Sequence, residues 1–433
     1  MNRLVLLHAQ LEAALRELLA HPGRSLTWHL GVCSRADGVD LLGPALRQEA
    51  PSVGAFPEVG GRLLLSLDEE PEAALARWVA RAGATGHWQV RLALGAGTAR
   101  GHLASALLTP TGEGRPLHHL LLVGPGMHRL GMADPGAGVA DAERERWSRT
   151  MAALGGEAVW RRLVGLRVAI VGCGRTGSLL AQALAATGVR HLALVDPDHL
   201  ERHNLGEMAG VAEADLERPK AEALACRLRE AYPWVRLEPL VASVTARRSL
   251  VSLLACDLLC CCADRDIARL ATGILATLYL KPLLDIGTGV LLPRPGSGLA
   301  MGADVRLILP GEGCLLCQGG VADPGEARRS LAAVWAEAAG RGGDWRRERA
   351  GSLRSLNQVA VGLALRLWED LVAERRREST WLRLTFEGGR PSLQEMPRRP
   401  EPNCPLCRYL GGGDALRGLV VGSLLAEGGW DAP

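Results

Sequence analysis

Two groups of residues in this 433-residue chain stand at spacings that chemistry uses. The first is Gly172-x-Gly174-x-x-Gly177, which follows the apolar run Val168-Ala169-Ile170-Val171 and precedes an Ala/Leu-rich stretch. That order reads as strand, tight turn and helix. The first glycine permits the turn, the second lets backbone approach a phosphate, and the third lets helix pack on strand, with helix N-terminal N–H groups facing the anion. A second apolar run, His191-Leu192-Ala193-Leu194-Val195, ends in Asp196, about twenty residues on, where a carboxylate can bond ribose hydroxyls. A nucleotide is the expected ligand, and a purely structural strand–helix turn is the bland alternative. The second group is Cys314-x-x-Cys317 with Cys404-x-x-Cys407. Two such knuckles make one tetrahedral thiolate site suited to Zn²⁺, and four protein ligands leave no open position for a substrate, so the metal would be structural.

The other cysteines read differently. Cys260, Cys261 and Cys262 lie in an apolar run and are expected to pack in a buried strand, while Cys173 fits the glycine turn as a small residue. Its place beside the phosphate position makes its thiol worth an alkylation test. His118 and His119 have no accompanying metal-ligand set and are read as strand histidines.

The elements that must hold these groups follow from periodicity. A chain this long, 48% hydrophobic, exceeds the usual single core of roughly 250–300 residues, so two domains are expected, 1–138 and 139–433, divided at the Gly/Pro/Ala stretch Asp134 to Gly138. The first reads as an α+β accessory or recruitment domain: an amphipathic helix from Met1 to Ala20, a second helix near Pro71–Val79, and strands at 88–94, 102–108 and 118–123 forming an antiparallel meander. The second alternates helices and strands: helix 140–155, a short helix reaching Leu163, strands at 168–171, 191–195, 235–241, 257–262 and 282–287, and helices at 219–231 and 269–280. This pattern means a doubly wound, mainly parallel α/β sheet, whose ligands sit at the carboxyl ends of strands. Gly172, Asp196, Asp198 and Asp264 all fall there.

With 50 basic and 47 acidic residues and a net charge of +3, no one-sign block points to nucleic acid. The beginning of the chain lacks a signal-peptide layout, and no run reaches about eighteen uncharged apolar residues, so a cytoplasmic protein with reduced thiols is expected.

Taken together, these residues resemble the ThiF/MoeB family of adenylating enzymes, akin to the ubiquitin-activating enzyme, over about residues 140 to 410. The glycine turn, Asp196-x-Asp198 and Asn204-Leu205 match, and both cysteine pairs fall where the family keeps its zinc. Arg146-Trp147-Ser148-Arg149 before Gly155-Gly156 is similar to the family's helix that lends an arginine to a neighbouring subunit, with Arg149 in that position. Lys220 falls where the family keeps a phosphate-binding lysine, and Asp264-x-x-x-x-Arg269 is similar to its Mg²⁺-linked aspartate followed by a helix arginine. The resemblance implies a homodimer that uses ATP and Mg²⁺ to adenylate the C-terminal glycine carboxylate of a small ubiquitin-like or sulfur-carrier protein, with a downstream conjugating or sulfur-transfer protein as a further partner. Gly172, Gly174, Gly177, Asp196, Asp198 and Asn204 would hold the nucleotide, and Arg149, Lys220 and Asp264 would serve the reaction.

Two departures bear on activity. Where the family places a phosphate-touching arginine after Asn204-Leu205, this chain has Gly206-Glu207-Met208, so Arg202 or Arg218 would have to substitute, or turnover would be weak. Residues 318 to 403 also lack a cysteine for a thioester, which points to adenylation with a partner thiol or sulfide as acceptor; Cys33, Cys226 and Cys256 are the remaining alternatives. A scaffold that keeps the fold with weakened catalysis is therefore a competing reading. An NAD-dependent oxidoreductase is a weaker one, because it gives Lys220, Asp264 and the four thiolates no role.

Overall fold

The computed structural model describes residues 1–21, 23–35, 37–43, 60–96, 102–131, 140–291, 300–321, 353–387, 390–397 and 404–414. Two compact units are present. One comprises Met1–Gly138, Thr277–Leu280 and Pro405–Val421, and the other Val139–Ala276, Lys281–Cys404 and Gly422–Pro433.

The first unit is built on a nine-stranded sheet whose order is β7-β6-β5-β4-β2-β3-β1-β8-β9. Its strands are β1 (Arg3–Leu7), β2 (Ser25–Arg35), β3 (Gly38–Gly43), β4 (Gly61–Asp68), β5 (Trp88–Gly95), β6 (Leu103–Leu108), β7 (Gly114–Arg115), β8 (His119–Val123) and β9 (His128–Gly131), with helices α1 (His8–Ala20) and α2 (Pro71–Arg81). The expected helix over Met1 to Ala20 is corrected at its start. Residues 3–7 are a buried strand with parallel partners on both sides, β3 and β8, and the helix begins only at His8. Every residue of β1 is buried, so both faces of the strand are covered, it reads as a continuous apolar run, and its polar exception, Arg3, must be paired. Arg3 Nε donates to Asp40 Oδ1 at 2.8 Å, and both residues are buried. The meander is corrected too. β5, β6 and β7 are antiparallel neighbours, but β8 joins β1 in parallel and β4 runs parallel to β5. The short segment 411–414 also lies against β2 in this unit: Val32 bridges Gly413, and Ser34 N donates to Asp414 Oδ2 at 2.7 Å.

The second unit is α/β. Its eight-stranded sheet has the order β12-β11-β10-β13-β14-β15-β16-β17. These strands are β10 (Arg167–Val171), β11 (His191–Val195), β12 (Arg236–Leu240), β13 (Leu258–Cys261), β14 (Leu283–Leu291), β15 (Ala300–Ile308), β16 (Thr380–Glu387) and β17 (Arg390–Met396). The five from β12 to β14 are parallel, and β15, β16 and β17 add an antiparallel extension. Chain direction switches from one side to the other between β10 and β13, the place where open α/β sheets form a crevice. The helices are α3 (Asp141–Leu154), α4 (Glu157–Gly165), α5 (Arg175–Thr187), α6 (Lys220–Ala231), α7 (Arg247–Ala255), α8 (Asp266–Leu278) and α9 (Arg354–Val372). α3 stops because Gly155 adopts the left-handed conformation at φ +107°, which a residue with a Cβ avoids. α9 lays Leu356, Ala360, Ala364, Leu367, Trp368 and Leu371, spaced at helical period, onto β14, β15 and α5. No helix among the described residues is long and apolar enough to cross a membrane.

Candidate nucleotide site and four-thiolate cluster

β10 supplies Val168, Ala169 and Ile170, all fully buried, and delivers the chain to Gly172 at the carboxyl edge of the sheet. The three glycines there serve different needs. Gly172 sits at φ +92°, and a Cβ on it would lie 2.9 Å from the backbone of Cys262 and Ala263 at the exit of β13. A Cβ on Gly177 would lie 1.8 Å from the Gly172 carbonyl. Packing demands both. Gly174 is the N-cap of α5 with a negative φ of −72°, and a Cβ on it would meet nothing within 4 Å. Its bareness keeps open the space in front of the α5 N-terminus, where the first N–H groups have no intrahelical acceptor and the helix dipole is positive. This is the geometry of a phosphate cradle.

Around the turn stands a tight charged set. Asp196, at the end of β11 and only 5% exposed, accepts from Cys173 N at 2.7 Å through Oδ2 and from Asp198 N at 2.9 Å through Oδ1. Burial pushes its carboxyl above the ordinary range, with nearby Lys220 and the two backbone donors opposing that rise. Lys220 opens α6; its Nζ lies 3.1 Å from Asp198 Oδ2, and its N–H donates to the Asp198 carbonyl at 2.9 Å. Asn204 is buried and accepts from Glu201 N at 2.9 Å, shaping the loop after β11. Ser178 Oγ, on α5, accepts from Ala209 N at 2.9 Å and fixes that same loop against the helix. Asp264 is exposed, just beyond the Cys262-Ala263 backbone on which Gly172 packs.

Glu207 faces a cation. Its Oε2 lies 3.2 Å from Nε of Arg175, the first residue of α5. Arg202 pairs with Glu213 and Arg218 with Asp215, so the cation beside Glu207 is neither of the two considered from sequence. The Cys173 thiol is fully buried, and burial, then the Asp196 charge, holds its pKa well above the usual thiol value; alkylation there is disfavoured. Cys260 and Cys261 are buried in β13, and burial pushes the Cys261 thiol up to about 11.

Arg149 is not brought to this turn. It is exposed on α3, whose Trp147 Nε1 donates to the Ala186 carbonyl at 3.1 Å, at the far end of α5. Along a 13-residue helix that end is about 20 Å from Gly174. Trp147 belongs to a cluster that sequence reading missed. Trp160 Nε1 donates to Thr187 O at 3.0 Å and Trp234 Nε1 to Ala185 O at 3.0 Å, so three indoles donate to the last three carbonyls of the helix, of which Ala185 O also accepts from Gly188 N at 3.0 Å. Arg146 lies 4.6 Å from the Trp234 ring centroid and Arg190 lies 5.3 Å from that of Trp147, while Arg190 also pairs with Glu143. The one available signal was compositional: with 11 tryptophans against 2 phenylalanines and 3 tyrosines, aromatic packing had to be tryptophan packing.

The ligand atoms of Cys314, Cys317, Cys404 and Cys407 lie within 4.8 Å of one another. Cys314 Sγ is 3.7 Å from Cys317 Sγ and 3.6 Å from Cys404 Sγ. Tetrahedral Zn–S bonds of about 2.3 Å require S···S separations of about 3.8 Å, whereas a disulfide needs about 2.05 Å. The cluster therefore fits a zinc ion and not a bridge.

The sequence pattern of the ThiF family matches residues 147–405. The chain is similar to the SAMP-activating enzyme E1 of Haloferax volcanii, 42% identical over 83 residues covering 19% of this chain and 31% of that protein. It is similar to the bovine adenylyltransferase and sulfurtransferase MOCS3, 32% identical over 153 residues covering 35% of this chain and 33% of that protein. Similarity to the Escherichia coli sulfur carrier protein ThiS adenylyltransferase is 24% over 159 residues, 36% of this chain and 59% of that protein. The matched stretch thus spans about a third of the first two relatives. Among solved structures, Escherichia coli MccB with ATP overlays with a TM-score of 0.45 at 18% identity, covering 60% of this chain and 74% of that one.

Proposed function

The chain belongs to the ThiF family, and from that membership we propose that it adenylates the C-terminal glycine carboxylate of a small ubiquitin-like or sulfur-carrier protein with ATP. The observation that carries the reading is the bare space at Gly174, framed by the α5 N-terminus, with Asp196, Asp198 and Lys220 at the neighbouring strand end. Relatives whose names specify sulfur-carrier proteins or SAMP activation support the choice of partner.

In this reading one carboxylate oxygen of the partner bonds to the α-phosphorus of ATP, the bond from that phosphorus to the bridging oxygen breaks, and pyrophosphate leaves. The carboxylate is already ionised near pH 7, so no general base is required. The chain's work is electrostatic: cradle the phosphates, balance growing charge and align the attack. Backbone N–H groups at Gly174 and the start of α5 face the phosphates, Lys220 supplies a cation once it exchanges Asp198 for phosphate oxygens, and Asp196 holds ribose while bracing the turn. Asp264 would hold Mg²⁺, which when bound would supply positive charge to the phosphate chain. Arg149, anchored at the wrong end of α5 for its own turn, would act in the partner subunit of a homodimer. Zinc on the four thiolates would be structural.

Pyrophosphate exchange tests the reading. With Mg²⁺-ATP and a glycine-tailed carrier, labelled pyrophosphate should enter ATP, Asp264→Ala should abolish exchange without unfolding the protein, and a mixture of Arg149→Ala with Asp264→Ala subunits should regain activity. ATP binding without exchange across a panel of carriers would favour the scaffold reading. NADH fluorescence enhancement would favour the oxidoreductase.

A further inference from the structure

A buried charge network of the second unit lies outside the glycine turn. Asp285, on β14, is fully buried between two arginines. Arg269 of α8 pairs with its Oδ1 and donates through Nη2 to the Ile286 carbonyl at 3.0 Å. Arg306 of β15 donates through Nη1 to Asp285 Oδ2 at 3.0 Å. The rest of the Arg306 fork points to the knuckle: Nε donates to the Gln318 carbonyl at 3.0 Å and Nη2 to the Gly319 carbonyl at 3.2 Å, the two residues after Cys317. Its face lies 4.3 Å from the Trp381 ring centroid, and Asp304, held in turn by Arg383, sits 3.2 Å away. Arg306 is 3% exposed, and a planar five-donor fork is the side chain that can make all these bonds together.

The other end of the chain of contacts reaches the nucleotide site. Arg269 N donates to the Arg265 carbonyl in the first turn of α8, immediately after Asp264. Its guanidinium lies so close over Gly287 that a Cβ there would be 3.0 Å from Nη2. Asp264 thus lies between two packed features: the Cys262-Ala263 backbone against Gly172 before it, and the helix start carrying Arg269, clamped to Asp285, after it.

We infer that Arg306 is a positioning residue for the nucleotide site: it ties the carbonyls after Cys317 to Asp285, and through Asp285 to Arg269 and the helix start behind Asp264, so that metal loading of the thiolates sets nucleotide affinity. The inference rests on the nucleotide reading above. Arg306→Lys keeps the charge and loses the fork, so one ammonium must choose between Asp285 and the knuckle carbonyls.

The test is a cycle of variant against metal, read with a fluorescent ATP analogue and Mg²⁺. Zinc-loaded Arg306→Lys should keep its metal and cooperative unfolding and bind the analogue about tenfold more weakly. Chelator-stripped wild type should show the same loss, and stripped Arg306→Lys no further one. Arg383→Gln, which touches Asp304 but not Asp285, should bind like wild type. Independent losses that multiply, or unchanged affinity in the loaded variant, would overturn the coupling. Hydrogen exchange of residues 266–272 supplies a readout that needs no nucleotide: it should quicken in loaded Arg306→Lys and in stripped wild type. If loaded wild type fails to bind the analogue, the nucleotide reading fails, and exchange alone then decides the coupling, unchanged rates rejecting it. If Arg306→Lys does not fold, Asp285→Asn takes its place with the same expectations.

Discussion

At its amino end α5 begins behind a glycine whose missing side chain faces open space, whereas at its carboxyl end the carbonyls of Ala185, Ala186 and Thr187 each accept a tryptophan N–H. Both ends face the same physical problem, backbone groups without helical partners. The carboxyl end solves it permanently with indoles and the left-handed Gly188, on which a Cβ would lie 3.1 Å from Trp160. In the proposed function the amino end keeps its donors for the phosphates of ATP. A helix can therefore be read for function by asking which of its ends the fold has closed.

Substitutions can break that contrast. The largest effect is expected where packing alone decides: Gly177→Ala puts a Cβ 1.8 Å from the Gly172 carbonyl and should cost more than about 4 kcal/mol in urea denaturation. Trp160→Ala, at the closed end, empties a fully buried site and removes the donor to Thr187; about 3 kcal/mol should be lost, with nucleotide affinity of the surviving folded protein unchanged. Smaller effects belong to the open end. Glu207→Gln should leave stability within about 1 kcal/mol, because its ion pair with Arg175 is part-exposed, and should tighten Mg²⁺-ATP binding by removing a negative charge, while Arg175→Ala weakens it. Titration calorimetry reads both signs.

The smallest is a pH signature confined to the same end. Burial raises the Asp196 carboxyl, against the pull of Lys220, so the folded chain holds that proton to higher pH than the unfolded one. The contribution favours folding below the unfolded-state value of about 3.9 and is lost as pH rises through the raised folded value. The unfolding free energy of wild type minus that of Asp196→Asn should accordingly decline as pH rises across this window. The same difference taken with Trp160→Phe should stay flat.

Legibility in the sequence followed the range of the interactions. β10, the glycine turn, α5 and β11 could be read because a few consecutive residues carry the whole signal: an apolar run, three glycines, a terminal acid. The four-thiolate site was legible from the spacing of its two Cys-x-x-Cys knuckles, and resemblance added Lys220 and Asn204. Arg3–Leu7 was misread as helix because a strand buried on both faces shows no alternation, and its partners lie at 40–43 and 119–123. The tryptophan cluster joins residues 147, 160 and 234, and the Arg306 network joins residues 269, 285, 304 and 318, so neither has a local period. Glu207 looked like an acid opposing a triphosphate, since its counter-charge lies 32 residues earlier, within the glycine motif itself.

The open end of α5 can be tested most directly by filling it. Gly174→Ala adds one methyl group where no neighbour stands within 4 Å, so stability in urea should fall by no more than about 1 kcal/mol, the cost of alanine at an N-cap, while Mg²⁺-ATP affinity should fall about tenfold as the phosphates lose close approach to the helix N–H groups. Unchanged affinity with stability inside that limit would contradict the assignment of this turn as the phosphate cradle.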